Sequence, residues 1–135
     1  MAEVQTLIIE GGCTFAFEAV YQQETTPGSG TWAAVDLTGY SARMMIKLTH
    51  DSASPLISLT STPAAGITIT AASGLVAIEM TPTETAAIET AMVAALAAGT
   101  ISELRAVADC ELQSSGGKVY RLFAAEVLLQ REVTK

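Results

Sequence analysis

The chain has 135 residues and a mass of 14.0 kDa; half of its residues are hydrophobic and 16% are charged. Intrinsic disorder has the opposite balance, so we expect a folded chain, and the length predicts a single domain over residues 1–135. The net charge is −7 and only 5% of residues are aromatic. Both features argue against nucleic acid as a partner, because phosphate is repelled and stacking side chains are few.

Targeting and membrane-spanning segments are not predicted. Residues 1–4 are acidic where a secretory signal is basic, and the uncharged run of residues 90–102 is too short to span a bilayer. The two cysteines, Cys13 and Cys110, form neither a spaced metal motif nor a disulfide framework. We therefore expect a soluble protein, made in a cytoplasm, with no membrane partner.

Apolar and polar side chains alternate through most of the chain, a period typical of half-buried β-strands. The glycine, serine and proline content of residues 22–34 indicates a loop. Strands are predicted, in chain order, at residues 4–10, 13–22, 41–49, 56–60, 67–70, 75–80, 104–112 and 118–133. The spacing of turn signals predicts an all-β, mainly antiparallel sandwich of seven to nine strands in two sheets.

One segment carries the signals of a helix instead. Thr81 is an N-cap residue, Pro82 occupies the first helical position, and Glu84 completes a capping box. The alanine-rich stretch that follows predicts a helix near residues 82–98, with Gly99 as its C′ residue. We interpret it as a crossover packed over one end of the sandwich, since no lysine or arginine favours a membrane surface.

The predicted core combines the inward positions of these strands. The strand at residues 41–49 is the clearest, because Ala42, Met44, Ile46 and Leu48 share one face. The expected core residues are Phe15, Phe17, Met44, Ile46, Leu48, Ile67, Ile69, Ile78, Ala108, Cys110 and Leu112.

No residue pattern predicts catalysis, a metal site or a cofactor. His50, Asp51 and Ser52 are the residue types of a catalytic triad, but consecutive residues cannot align as nucleophile, base and orienter. Asp109 and Glu111 supply only two carboxylates, whereas calcium takes six or more oxygen ligands. We expect the chain not to be an enzyme.

The alternative role for Asp109 and Glu111 is structural. Arg43 and Lys47 lie on the polar face of their strand at the same two-residue period. If the two strands are neighbours, the four charges form a cross-strand ladder on the solvated face of a sheet.

Two segments contain candidate contact residues. Residues 4–9 include no lysine or proline to protect a strand edge, so this edge needs a cover from its own fold or from a neighbouring chain. The 22–34 loop contains the only tryptophan, a residue type favoured at contact centres, although it could also anchor the loop to its own domain. The candidate interface residues are Val4, Leu7, Ile9, Tyr21 and Trp32.

Four stretches resemble small structural proteins of tailed bacteriophages. They are VDLTGYSARMMIK, AAGITITAASGLVAIEMTPTETAAI, DCELQSSGGKVYRLFAAEV and the terminal REVTK. Together they cover roughly residues 35–135, and the family is similar to the immunoglobulin-like domain at the start of phage baseplate upper proteins. The resemblance implies an immunoglobulin-like sandwich located in the virion. It also implies multiple copies in a symmetric assembly with other virion structural proteins of the tail, baseplate or fibre-attachment region.

The chain departs from this pattern before its last hairpin, where the predicted helix replaces the short link usual in the family. The departure leaves room for a head decoration or cement protein on the capsid. A carbohydrate-binding receptor module is a third alternative, but it would need more exposed aromatic residues than Trp32, Tyr21 and Tyr40 provide. Copy number separates the first two roles: a small multiple of three or six indicates the tail, and hundreds indicate the head.

Overall fold

The computed structural model describes residues 3–97 and 99–133. Within them the chain forms eleven strands, a short 3-10 turn at Ala71–Ser73 and one α-helix, α1 (Pro82–Leu96). The strands are β1 (Glu3–Glu10), β2 (Phe15–Val20), β3 (Gln22–Glu24), β4 (Trp32–Ala34), β5 (Ser41–Lys47), β6 (Ile57–Ser61), β7 (Ala64–Ala65), β8 (Ile67–Thr70), β9 (Leu75–Met80), β10 (Glu103–Gln113) and β11 (Val119–Gln130).

The strands form the all-β sandwich that the alternation predicts. A six-stranded sheet has the order β1-β11-β10-β5-β6-β7, and a three-stranded sheet has the order β2-β9-β8. The β3–β4 hairpin is a separate two-stranded sheet within the segment expected to be a loop. This hairpin and the two-residue strand β7 raise the strand count above the predicted seven to nine.

Pairing is antiparallel except between β1 and β11, which run parallel over all eight residues of β1. Side chains alternate with the same period in either direction, so the sequence pattern contains no sign of this parallel pair. The pairing places the first strand beside the last and makes β1 an edge of the larger sheet.

The core lies between the two sheets and was largely predicted. Three of the expected core residues, Phe17, Leu48 and Ile69, are partly buried and pack against it. The other eight are buried: Phe15, Met44, Ile46, Ile67, Ile78, Ala108, Cys110 and Leu112.

Helix α1 begins with the predicted capping box. Thr81 Oγ1 accepts a hydrogen bond from the Glu84 N–H at 3.1 Å, and Glu84 Oε1 accepts one from the Thr81 N–H at 2.9 Å. The helix ends at Leu96, earlier than predicted, because Ala97 already adopts a left-handed conformation with φ 48°. Gly99, the predicted C′ residue, also has a positive φ, 58°.

The buried face of α1 consists of residues one turn apart, Thr85, Ile88, Glu89 and Met92. Ile88 and Met92 join the core, and Thr85 Oγ1 donates to the carbonyl oxygen of Cys13 at 2.7 Å. The helix therefore packs beside the β1–β2 connection, at one end of the sandwich.

Candidate functional site

One side of the sandwich exposes a strand edge of both sheets. β1 ends the six-stranded sheet, and β2 ends the three-stranded sheet. The chain passes from one to the other through a tight turn in which the Cys13 N–H donates to the Glu10 carbonyl at 3.1 Å. We call this side, formed by β1, β2 and the β3–β4 hairpin, the open side.

The outer edge of β1 has no strand partner among the described residues. In a parallel ladder alternate residues bond to the partner strand. The Gly11 N–H donates to the Gln130 carbonyl at 2.9 Å. The backbone groups of the odd-numbered residues of β1 therefore bond to β11. The backbone groups of Thr6 and Ile8 consequently point to the free side, where they can pair with another chain.

A groove of about 550 Å³ runs along the open side, between β1 and β11 on one wall and β2 and the hairpin on the other. Its residues include Gln5 from β1, Phe17 from β2, Tyr21 and Trp32. The Trp32 side chain is 52% exposed, so it is not folded into the core of its own domain.

The hairpin that carries Trp32 is held at its base by two backbone bonds, one to the turn before β9 and one between its own two ends. The Tyr21 N–H donates to the Gly74 carbonyl and the Val35 N–H to the Tyr21 carbonyl, each at 2.9 Å. Gly74 has φ 66°, and a Cβ atom there would lie 2.7 Å from the Val35 carbonyl oxygen. Only glycine combines this conformation with such a close approach. These bonds and this close packing fix the base of the hairpin that carries Trp32.

An aromatic cluster continues from the groove into the sandwich. The rings of Tyr21 and Tyr120 have centroids 5.9 Å apart, and those of Tyr40 and Tyr120 are 6.5 Å apart. Contacts at these separations stabilise aromatic pairs beyond their buried area. They hold Tyr21 as a wall of the groove.

The structure corrects two of the five candidate interface residues. Leu7 and Ile9 are buried on the core face of β1 and cannot contact a partner chain. Ile8 between them is 52% exposed and is the apolar side chain that β1 offers to a partner. Residues 7–9 are all apolar, so the sequence does not show which of them face the core and which face outward. The side chain of Val4 lies outside the described part of the chain.

The predicted charge ladder is correct for one of its two rungs. Arg43 faces Glu111 across β5 and β10, with Arg43 Nη2 2.9 Å from Glu111 Oε1. Asp109 lies opposite Met45 and instead approaches Arg121 of β11, at 3.6 Å. Lys47 lies opposite Val107. Because the ion pairs are exposed, each contributes only about 0–1 kcal/mol.

The remaining candidates for chemistry are placed as ordinary surface or core residues. His50 and Asp51 are exposed in a turn, and Ser52 Oγ accepts from the Thr49 N–H at 3.1 Å. Cys13 is exposed and Cys110 is buried, and both thiols are free. In the described residues no three His, Cys, Asp or Glu side chains are grouped to hold a metal ion. No helix in that part of the chain is long and apolar enough to cross a membrane.

No protein-family model matches the chain, and a search of the curated proteins finds no significant match.

Proposed function

We propose that the chain is a structural component of a tailed-bacteriophage virion, acting by protein–protein assembly in the tail, baseplate or fibre-attachment region. It works by contact and not by turnover of a substrate. The immunoglobulin-like character of the sandwich belongs to the same proposal. The sequence resemblance over residues 35–135 supports it, and the first three quoted stretches include β5, β7 to the start of α1, and most of the β10–β11 hairpin.

The observation that carries the proposal is the outer edge of β1, with which no strand in the described part of the chain pairs. Monomeric proteins protect such edges with lysine, proline, a bulge or a covering segment. β1 is eight residues long, contains no lysine or proline, and presents the exposed side chain of Ile8 beside its unpaired backbone groups. An extended segment of a neighbouring virion protein would add to this edge as a further strand.

The groove of the open side would supply specificity for that segment. Backbone pairing gives affinity for any extended chain, whereas side-chain pockets select among sequences. Trp32 and Tyr21 line the groove next to Gln5 of β1. Large aromatic side chains provide much of the binding energy in protein interfaces. A strand paired with β1 would place its alternate side chains toward them.

Substitution of Thr6 tests the edge directly. Thr6→Pro removes a backbone N–H that points to the free side, so pairing with β11 is kept while addition of a further strand is blocked. Thr6→Ala is the matched control, since it changes the same exposed side chain and keeps the N–H. In particles assembled with plasmid-supplied protein, we expect the alanine variant at full copy number and the proline variant to be missing, although circular dichroism shows both folded. Full incorporation of a folded proline variant would contradict the proposal.

A second pair of variants tests the groove. Trp32→Ala should reduce incorporation, whereas Val119→Ala, which truncates another half-exposed apolar side chain that does not line the groove, should not. Quantitative mass spectrometry of the same particles gives the copy number. A small multiple of three or six fits the tail, and hundreds of copies would replace the tail assignment by the head-decoration alternative.

A further inference from the structure

The basic residues of the chain are segregated in the sequence and in the fold. None occurs in residues 1–42 or 48–104, although these segments contain most of the fourteen acidic residues. Four of the seven lie on β5, β10 and β11, with side chains on the outer face of the six-stranded sheet: Arg43, Lys47, Arg105 and Arg121. Arg105 forms an ion pair there with Glu126, so the surplus of positive charge lies at the centre of the face. We call this face the large-sheet face.

The centre of the large-sheet face is a shallow depression of about 450 Å³ with a surplus of cationic groups. Its floor is apolar, formed by Met45, Val107 and Ala124. Three cations, Arg43, Lys47 and Arg121, line it against two carboxylates, Asp109 and Glu111. Those carboxylates pair with the two arginines. Among the described residues, Lys47 makes no ion pair, so its charge is available to a partner.

The opposite face of the sandwich has the reverse character. The outer face of the three-stranded sheet bears a shallow depression of about 400 Å³ in which Glu18, Glu79 and Glu84 surround the small residues Ala16 and Ala77. No lysine or arginine occurs in β2, β8, β9 or α1. We call it the small-sheet face; its three carboxylates have no cation near them on these elements.

We propose that copies of this chain stack head to tail, the small-sheet face of one copy on the large-sheet face of the next. Arg43 and Arg121 are more than half exposed, and long side chains of this kind can reach the carboxylates of a facing sheet. The apolar floor with Met45 would meet the small residues between those carboxylates. The two faces lie on opposite sides of the molecule, so the contact is heterologous and repeats into a ring or a stack.

The net charge of −7 does not prevent this contact. At physiological ionic strength, charges more than about 8 Å apart are largely screened, so the facing groups outweigh distant like charges. Complementary potentials also suppress the alternative arrangement in which two small-sheet faces meet, because six carboxylates would then be juxtaposed.

Charge reversal tests the contact in purified protein. Glu18→Lys/Glu79→Lys gives the depressions of both faces a net positive charge, and Met45→Glu/Lys47→Glu gives both a net negative charge, so each variant alone should be monomeric by sedimentation velocity. An equimolar mixture should regain assemblies larger than a dimer, since each reversed face meets its complement. The wild type should show the same concentration-dependent assemblies. Glu24→Lys/Asp36→Lys is the control: it changes the net charge by the same amount as Glu18→Lys/Glu79→Lys but lies outside both depressions, so it should behave as the wild type.

Three outcomes overturn the inference: a monomeric wild type at every soluble concentration, variants that assemble alone as the wild type does, or folded variants whose mixture remains monomeric. The inference rests on the proposed function only for its place in a virion. A chain that stacks in solution but is missing from particles refutes the proposed function alone. A chain that is incorporated but never stacks refutes this inference alone.

Discussion

The backbone of Gly11 lies against the carboxylate of Glu89, so closely that a Cβ atom at position 11 would clash with Glu89 Oε1. Glu89 is buried on α1, and the same oxygen accepts a hydrogen bond from the Glu132 N–H at 2.9 Å. One carboxylate thus joins the end of β1, the helix and the segment that follows β11. This junction holds together the end of the sandwich at which α1 packs.

Gly11→Ala should lower the free energy of unfolding by about 1–3 kcal/mol, because the added methyl group forces the buried carboxylate out of place. In a Glu89→Ala background the same substitution should cost much less, since the clashing group is gone. Gly116→Ala is the control: its Cβ would approach nothing closer than Ser114 Oγ at 3.9 Å. Urea unfolding of the four variants and the wild type measures the differences. Equal costs of Gly11→Ala in both backgrounds would contradict this explanation.

The sequence predicted those features of the fold that depend only on residues close together in the chain. In β5 every second side chain is apolar, so burial of Ala42, Met44 and Ile46 followed from alternation alone. The capping box at Thr81 was equally predictable, because Thr81 and Glu84 are close in the chain and each side chain accepts a hydrogen bond from the other's backbone N–H.

Features that depend on a distant partner were not predictable. The parallel pairing of β1 depends on β11, more than 100 residues away, and the pattern of β1 is the same for either direction. The ladder failed at Lys47 for a related reason: a shared two-residue period does not fix which residues face each other. The burial of Glu89 likewise requires the neighbouring Gly11 and Glu132.

Two adjacent methionines on β5 provide a test of the core. Met44 is 1% exposed and Met45 is 39% exposed, on opposite faces of the same strand. Met44→Ala should lower the free energy of unfolding by about 2–4 kcal/mol, because it removes buried apolar surface and leaves a cavity. Met45→Ala should change it by less than about 0.5 kcal/mol. Chemical denaturation compares the two, and similar losses for both would show that the inner and outer faces of β5 are misassigned.

The end of α1 offers a stabilising substitution. Ala97 has φ 48°, a conformation that penalises every residue with a Cβ atom and favours glycine. Ala97→Gly should therefore raise the free energy of unfolding by about 0.5–1 kcal/mol. Ala94→Gly, three residues earlier on the exposed side of the helix, should lower it by about 1 kcal/mol. The two substitutions are chemically identical, so thermal denaturation should shift in opposite directions; a loss at both positions would contradict the left-handed helix end.

The thiols should differ in reactivity and in their effect on alkaline stability. Cys13 is exposed, whereas burial raises the pKa of Cys110 to about 12, with smaller contributions from Asp109 and Glu111. A disulfide reagent should modify Cys13 in the folded protein and Cys110 only after unfolding, because the thiolate is the reactive form. Cys13→Ser isolates the second thiol; rapid modification of that variant under native conditions would contradict the burial of Cys110.

The same raised pKa predicts a pH dependence of defined sign. The unfolded chain releases the Cys110 proton near pH 9, while the folded chain keeps it until about pH 12, so the unfolded state binds fewer protons in this window. Stability due to this thiol is complete well below pH 9 and falls as pH rises, and by pH 10.5 about 2 kcal/mol of it is lost. Cys110→Ala should lack this part of the loss, because it has no thiol to ionise. Urea unfolding of both proteins at several pH values measures this difference, because every other titrating group is common to the two. Parallel stability curves above pH 9 would show that the Cys110 thiol ionises as readily in the folded state as in the unfolded one.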